Sequence, residues 1–383
     1  MTNQEITITS TEEKRLLVEL EKRTDAEALR MKRFLNMPDL SRTPSSPLYE
    51  IVERVRNVPV LKDFGNIVIP EIVPTDISFD LFDFPADHPA RSKSDTYYVD
   101  DKNILRPHDT VMWYYYMSHP EIQERAKKGE PLGVVCYGKV YRKDEIDRRH
   151  MNIFHQFGGL YLVPDKTQVP VDALREVLTE IVKSLLGPDV NYRFLDDVFP
   201  YTDPSLQVEV EINGEWVEIL GGGMPKKSVM HKLGLDGYNG WAFGFGLERL
   251  AILSMGLPDI RLLWSQDERV KRQLKLGNIY KEVSKYPPIT RDISFVVGTD
   301  FIPNNYFDLI RDIGGLPGQG DLVEEVSLLD KYENAEKFGT GKTSYTYRII
   351  YRSNERTLLA EEVTPIQEKI VDETKKQFGA EVR

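Results

Sequence analysis

Arg142 ends an apolar run, GVVCYGKVY, and Asp144 follows two residues later. His150 lies in the polar stretch DEIDRRHMN, and Phe154, His155 and Gln156 open a second apolar run. Strand, polar connection, strand is the pattern of an antiparallel hairpin. Alternation along a strand puts Arg142 and Asp144 on one face. An arginine binds a phosphate through two parallel hydrogen bonds, an aromatic ring stacks on a base, and a carboxylate accepts from an exocyclic amine. The hairpin therefore carries side chains suited to a nucleotide, although a solvated hairpin with surface charges has the same residue content.

A second cluster is GFGLERL at 244–250. Its glycines permit close backbone approach where a strand feeds a helix, and Arg249 falls in the first turns of that helix. The third glycine and the βαβ setting of a dinucleotide site are missing. Gly341-Lys342-Thr343 imitates a phosphate loop, but Glu336 stands where the first glycine is required. Glu209, Glu211 and Glu218 fall on a β-hairpin turned by Asn213-Gly214. Carboxylates beside a triphosphate bind Mg²⁺ through one or two oxygens, and solvent-facing strand carboxylates look the same in sequence. There is no G-x-S-x-G elbow, Cys136 sits inside an apolar strand, and the six histidines make no HExxH pair, so neither a covalent nucleophile nor a zinc site is supported.

The chain that must position these groups has 383 residues, 40% apolar and 29% charged, enough for two or three domains with a sizeable core. A net charge of −11 argues against a protein that coats nucleic acid by bulk charge, while a local basic surface is compatible with it. No apolar run approaches the ~18 residues of a membrane span. The start, MTNQEITITSTEEKRLL, lacks the apolar core of a signal peptide and carries acids foreign to a transit peptide. The single cysteine excludes an internal disulfide and places the chain in a reducing compartment, read here as the cytoplasm; a processed organellar protein reads the same way.

Helical spacing over 11–36 and a Pro/Ser-rich stretch at 37–47 predict an N-terminal helical extension and linker, residues 1–47. An amphipathic helix from Leu48 to Val58, a proline-broken strand from Phe64 to Pro74, and a short strand TYYV precede the hairpin at 132–163. A helix from Pro170 to Leu186 then covers that hairpin. Glycines 221–223 are read as the end of the following β-rich stretch. Composition shifts at Lys285-Tyr286-Pro287-Pro288. Beyond it come strand (292–297), helix (304–313), strand (322–332), strand (343–351), helix (364–378) and a last strand near Glu381, the βαββαβ order of a ferredoxin-like unit. The expectation is an α+β chain, with a mixed core over 48–283 and a separate domain over 284–383.

These segments together resemble the class II aminoacyl-tRNA synthetases. The proline-ended strand, the arginine-bearing hairpin and GFGLERL stand in the order of the three signature motifs of that class. More narrowly, DHPARSKSDTYY (87–98), LRPH (105–108), FPYTDPS (199–205), EILGGGM (218–224) and WAFGFGLERLAIL (241–253) resemble the phenylalanyl-tRNA synthetases. KYPPITRDISFVV (285–297) and ERTL (355–358) resemble their ferredoxin-like anticodon-binding domain. Both domains on one short chain are similar to the single-chain organellar form. The resemblance implies an antiparallel-sheet catalytic core that joins phenylalanine to ATP and passes the acyl group to tRNA(Phe), with Mg²⁺ and as a monomer.

It further implies that Arg142 bridges the amino-acid carboxylate and the α-phosphate. Phe154 and Arg249 would sandwich the adenine, Asp144 would receive its amine, His150 would meet the outer phosphates, and Glu218 would hold Mg²⁺. His108, Thr110, Arg142, Gln156, Phe199, Tyr201, Ala242 and Gly244 would form the amino-acid pocket. In the last domain, 337–352 carries basic and aromatic residues and no acid, and Lys342, Tyr347, Arg348 and Arg352 are the expected RNA contacts.

Four positions depart from the family pattern: Thr110 for serine, Trp113 for glutamine, Gly158 for a glutamate near the substrate ammonium, and Tyr201 for phenylalanine. An unpaired ammonium in a closed site costs several kcal/mol, so a replacement acceptor is expected, with Asp109 as the candidate. A hydroxyl from Tyr201 or Thr202 would suit a hydroxylated ring. The competing functions are a ligase of the same descent with another amino acid or acceptor, and a non-catalytic RNA-binding relative.

Overall fold

The computed structural model describes residues 5–143, 147–314 and 322–383. The chain divides after Tyr280 into two compact units. Among the described residues the first unit has strands β1 (Glu5–Thr7), β2 (Gly65–Val68), β3 (Ile72–Pro74), β4 (Asn103–Leu105), β5 (Leu132–Tyr141), β6 (Ile153–Pro164), β7 (Tyr192–Asp197), β8 (Thr202–Ile212), β9 (Glu215–Pro225) and β10 (Tyr238–Gly246). Eight of them form one sheet in the order β1-β2-β5-β6-β10-β9-β8-β7. The pairs β1–β2 and β2–β5 are parallel and the rest antiparallel.

The expected hairpin is β5–β6, paired from Leu132↔Leu162 to Tyr141↔Ile153. All ten residues of β5 are buried, because both faces of the sheet are covered at its centre. The helix Val171–Leu186 buries Leu174, Val177, Leu178, Ile181, Val182 and Leu185, an apolar stripe at the helical repeat. The β8–β9 hairpin turns at Asn213 and Gly214, both at positive φ (53° and 83°), as a two-residue loop matched to strand twist requires.

Five expectations are corrected. The proline-broken strand is two strands in different sheets, β2 in the large sheet and β3 in a ribbon with β4. TYYV makes only an isolated bridge, Tyr98↔Ile104. Gly221–Gly223 do not end a strand; they lie inside β9, paired with β8 and β10. The helical run 11–36 is broken into Thr11–Lys22 and Ala26–Asn36, because Asp25 caps the second helix through Ala28 N. These two helices bury Leu16, Leu20, Met31 and Phe34 against Tyr97, Leu105, Tyr141 and Ile153 of the first unit. Residues 37–47, read as a linker, include the buried Leu40 and Ser41, and Leu40 N donates to His155 Nε2 at 3.0 Å.

The second unit has strands β11 (Ile289–Val297), β12 (Val323–Glu333), β13 (Thr343–Tyr351) and β14 (Glu381–Val382), and helices Pro303–Gly314 and Ala360–Phe378. The sheet order β12-β13-β11-β14 is that of a ferredoxin-like fold. Ile293, Phe295, Tyr347, Ile349 and Tyr351 form its core with Tyr306, Leu309 and Ile370 of the helices. The last helix starts at Ala360, four residues before the expected Thr364, and carries Pro365 within it.

Candidate active site

Register places small residues in a row across the sheet. Cys136, Gly158, Gly244 and Gly221 pair in sequence across β5, β6, β10 and β9. The next row is Gly138, Gln156 and Gly246. Three neighbouring glycines leave a patch of bare backbone where side chains would otherwise stand.

Groups from outside the sheet stand over this patch. A Cβ at Gly221 would lie 2.8 Å from the Phe199 ring, so Phe199 rests on that glycine. A Cβ at Gly158 would lie 3.0 Å from Asp109 Cγ and would overlap Oδ2, so the Asp109 carboxyl rests on Gly158. Between them, a Cβ at Gly244 would meet nothing closer than Asp109 Oδ1 at 3.5 Å. The floor thus has a carboxyl at one end, an aromatic ring at the other, and space for at least a methyl group between them.

Asp109 is held there by Gln156, whose Oε1 accepts from Asp109 N at 3.0 Å. Burial pushes its carboxyl up to about 7, against the charges of Arg106 and Arg142, which pull it down. Its neighbour His108 is driven down to about 3 by burial and by Arg142, so the imidazole is neutral at physiological pH. His108 Nε2 faces Ser78 O at 3.2 Å, and the ring stacks on Phe84 at 5.7 Å.

The ring end is an aromatic box. Phe199 and Tyr201 stack at 6.0 Å, and Trp113 meets Tyr201 edge-on at 5.9 Å. Ala242 is buried one row along, opposite Gly223. Burial pushes the Tyr201 hydroxyl up to about 12, against the neighbouring Thr110 side chain, which pulls it down. Thr110 of the protein itself thus stands beside the phenol that the sequence assigned to a hydroxylated substrate. Trp113 in place of glutamine is a packing exchange, since it supplies an apolar edge to that same ring.

Arg142 spans both halves of the site. Its Nε donates to Pro107 O at 2.9 Å, and its guanidinium lies over the Phe154 ring at 5.1 Å. Its charge reaches His108, Asp109 and Tyr201. Arg249, in the helix Leu247–Met255 that follows β10, bonds Glu218 O on β9 at 2.9 Å and lies 3.5 Å from the Glu218 carboxylate. Both side chains are about half exposed, 49% and 52%. His150 is also half exposed and pairs with Asp147 at 2.8 Å. Asp144 lies outside the described residues.

Among the described residues no three acids, histidines or cysteines cluster into a metal cage. Glu209 is taken by Arg193 at 2.6 Å. A Mg²⁺ carried mainly by phosphates would need only one or two protein carboxylates, a number compatible with Glu218, which is half exposed and 3.5 Å from Arg249.

Sequence reasoning missed two supports. His155 and Glu248, inside FHQ and LERL, are both buried and 2.6 Å apart, and the His155 backbone N–H donates to the same carboxylate. Arg106 of LRPH is buried, with Nε on Lys139 O at 2.7 Å and Nη1 on Ile69 O at 3.0 Å, tying the end of β2 to β5. Arg106 directly follows the apolar strand Asn103–Leu105 and Glu248 lies in the largely apolar helix Leu247–Met255; an ionisable residue in such a setting is the signal that finds such positions.

In the second unit the expected RNA contacts separate. Lys342 is exposed. Arg348 makes two 2.8 Å hydrogen bonds to Asp292 on the sheet's open face. Arg352 is only 14% exposed and is held by Glu324 and the Tyr286 carbonyl. Tyr347 is corrected: it is fully buried against Phe295, Tyr306 and Phe307, so its ring has no face for a base.

Residues 34–274 match the family model for the tRNA synthetases class II core domain (F), and residues 284–383 match the ferredoxin-fold anticodon binding domain. The chain belongs to the class II aminoacyl-tRNA synthetases. It is 40% identical over 324 residues to a phenylalanine--tRNA ligase, chloroplastic/mitochondrial, of Arabidopsis thaliana, covering 82% of this chain and 71% of that protein. It is 33% identical over 386 residues to the mitochondrial phenylalanine--tRNA ligase of Mus musculus, covering 88% and 81%. A phenylalanine--tRNA ligase alpha subunit of Pelodictyon phaeoclathratiforme is 34% identical over 241 residues, 59% of this chain. Within the class, its family is that of the single-chain phenylalanine–tRNA ligases.

Proposed function

We propose that this chain activates phenylalanine with ATP to phenylalanyl-adenylate and pyrophosphate, then transfers the phenylalanyl group to tRNA(Phe). The observation that carries this reading is the position of Arg142. One guanidinium lies over an aromatic ring suited to adenine and also acts on the floor between Asp109 and Phe199. The first step brings a carboxylate onto an α-phosphate, two anions that repel. A cation fixed between them aligns the attack and stabilises the charge on the pentacovalent phosphorus, with no covalent enzyme intermediate.

Phe154 and Arg249 sandwich the base, Asp144 receives its amine, and His150 meets the outer phosphates. Mg²⁺, held by the triphosphate with Glu218 as the protein's carboxylate, neutralises phosphate charge when bound. Phe199, Tyr201, Ala242 and Gly244 take the phenyl ring, while His108, Thr110 and Gln156 fix the pocket wall. The aromatic packing of Phe199, Tyr201 and Trp113 favours an apolar, unsubstituted ring.

Lys342 and Arg348 on the second unit meet the anticodon arm, and the chain works as a monomer. Among the described residues no helix is long and apolar enough to cross a membrane. The relatives carry organellar names, which favours an organelle as the place of work over the cytoplasm expected from sequence. The deciding experiment is ATP–pyrophosphate exchange across all amino acids. Phenylalanine leads in the wild type, and Arg142→Ala abolishes exchange; a different leader with phenylalanine inert, or normal exchange in the variant, rejects the reading.

A further inference from the structure

We infer that the Asp109 carboxylate is the acceptor for the α-ammonium of the amino-acid substrate, delivered from the turn after His108 onto sheet backbone left bare by Gly158 and Gly244. This rests on the reading that the site activates an amino acid.

Three observations carry it. Asp109 is 6% exposed, and its Oδ2 has no hydrogen-bond partner among the described residues. A buried carboxylate oxygen without a donor is costly, and an arriving ammonium supplies one with opposite charge. The nearby cations are engaged elsewhere: Arg106 on Lys139 O and Ile69 O, and Arg142 through Nε on Pro107 O. The orientation also fits. Both Asp109 oxygens face the glycine floor, Oδ2 over Gly158 and Oδ1 3.5 Å from a Cβ at Gly244, and the aromatic box closes the far end at Gly221. A molecule lying on Gly244 with its cation at Asp109 has its side chain directed to Phe199 and Tyr201.

Positions 109 and 158 compete for the same space: a Cβ at 158 would overlap Oδ2 where it now stands, so a side chain there requires the Asp109 carboxyl to move aside.

The test is calorimetric binding of phenylalanine and of 3-phenylpropanoate, the same molecule without its amine, to the full chain. Asp109→Asn is expected to weaken phenylalanine by about 100-fold, the scale for removing one member of a buried charge pair, while 3-phenylpropanoate binding is unchanged. Equal losses for both ligands, or no loss for either, overturn the assignment. Asp109→Ser combined with Gly158→Glu guards against a folding defect: recovery of the preference for phenylalanine over 3-phenylpropanoate supports the exchange of carboxylates, and a folded double variant without it counts against. A wild type that binds other amino acids better than phenylalanine rejects the phenylalanine reading and leaves the carboxylate testable with the preferred amino acid and its desamino analogue. A wild type that binds no amino acid rejects both.

Discussion

His155 Nδ1 and Glu248 Oε1 lie 2.6 Å apart in a fully buried contact that joins β6 to the helix Leu247–Met255. Leu40 N donates to Nε2, so Nε2 is the acceptor and Nδ1–H points at the carboxylate. Phe154 and Arg249 are the immediate chain neighbours of this pair. The bond thus ties the strand that carries the Phe154 ring to the helix that carries the Arg249 guanidinium.

Glu248→Ala removes the acceptor for the His155 side chain and backbone N–H together. Two buried donors left unsatisfied are expected to cost about 3 kcal/mol, read by urea denaturation. The KM for ATP should rise more than that for phenylalanine in pyrophosphate exchange. Equal rises would mean that the pair does not set the base site.

Gly244→Ala has room for its methyl group, with the nearest atom at 3.5 Å, and should leave thermal stability within about 1 kcal/mol of wild type. The methyl occupies the floor, so the KM for phenylalanine is expected to rise while the KM for ATP holds. Gly221→Ala, with Phe199 only 2.8 Å away, should instead lower stability and disturb the ring end.

The pH dependence of Asp109 has a definite sign. Its folded value, about 7, lies above the ordinary 3.8, so the folded state holds a proton that the unfolded chain releases between these values. Its contribution to stability is therefore present below about pH 4 and is lost as pH rises through 7. The groups acting on it are Arg106 and Arg142; His108 beside it stays neutral. Asp109→Asn should then melt higher than wild type at pH 8 and lose this advantage toward pH 4. In wild type, kcat/KM for phenylalanine should fall on the acid side of 7 as the acceptor is protonated, and that limb should vanish in the variant.

Tyr347→Phe deletes a buried hydroxyl that has no hydrogen-bond partner among the described residues. Charging of tRNA should be unaffected, and thermal stability equal or higher, by up to about 1 kcal/mol. Lys342→Ala with Arg348→Ala should raise the KM for tRNA and spare pyrophosphate exchange. A charging defect in Tyr347→Phe would return that ring to the RNA surface.

The hairpin, the strand-to-helix turn at Arg249 and the βαββαβ order were legible because each is written in local alternation and spacing. Tyr347 shows how composition misleads. Tyr345, Tyr347, Ile349 and Tyr351 repeat with period two and are the core face of β13, whereas pooling the segment as basic and aromatic merged its two faces. The glycine floor was not legible. Gly158, Gly221 and Gly244 are separated by dozens of residues, and only the pairing of three strands makes them neighbours. Asp109 was visible as a candidate, but its direction depends on Gln156 of another element.

A platform of naked peptide is indifferent to what lies on it, so discrimination belongs to attachments at its rim, Asp109 at one end and Phe199 and Tyr201 at the other. Such fittings can be exchanged by substitutions in connecting turns while the strands keep their pairing. A scaffold of this kind can change its clientele without being rebuilt.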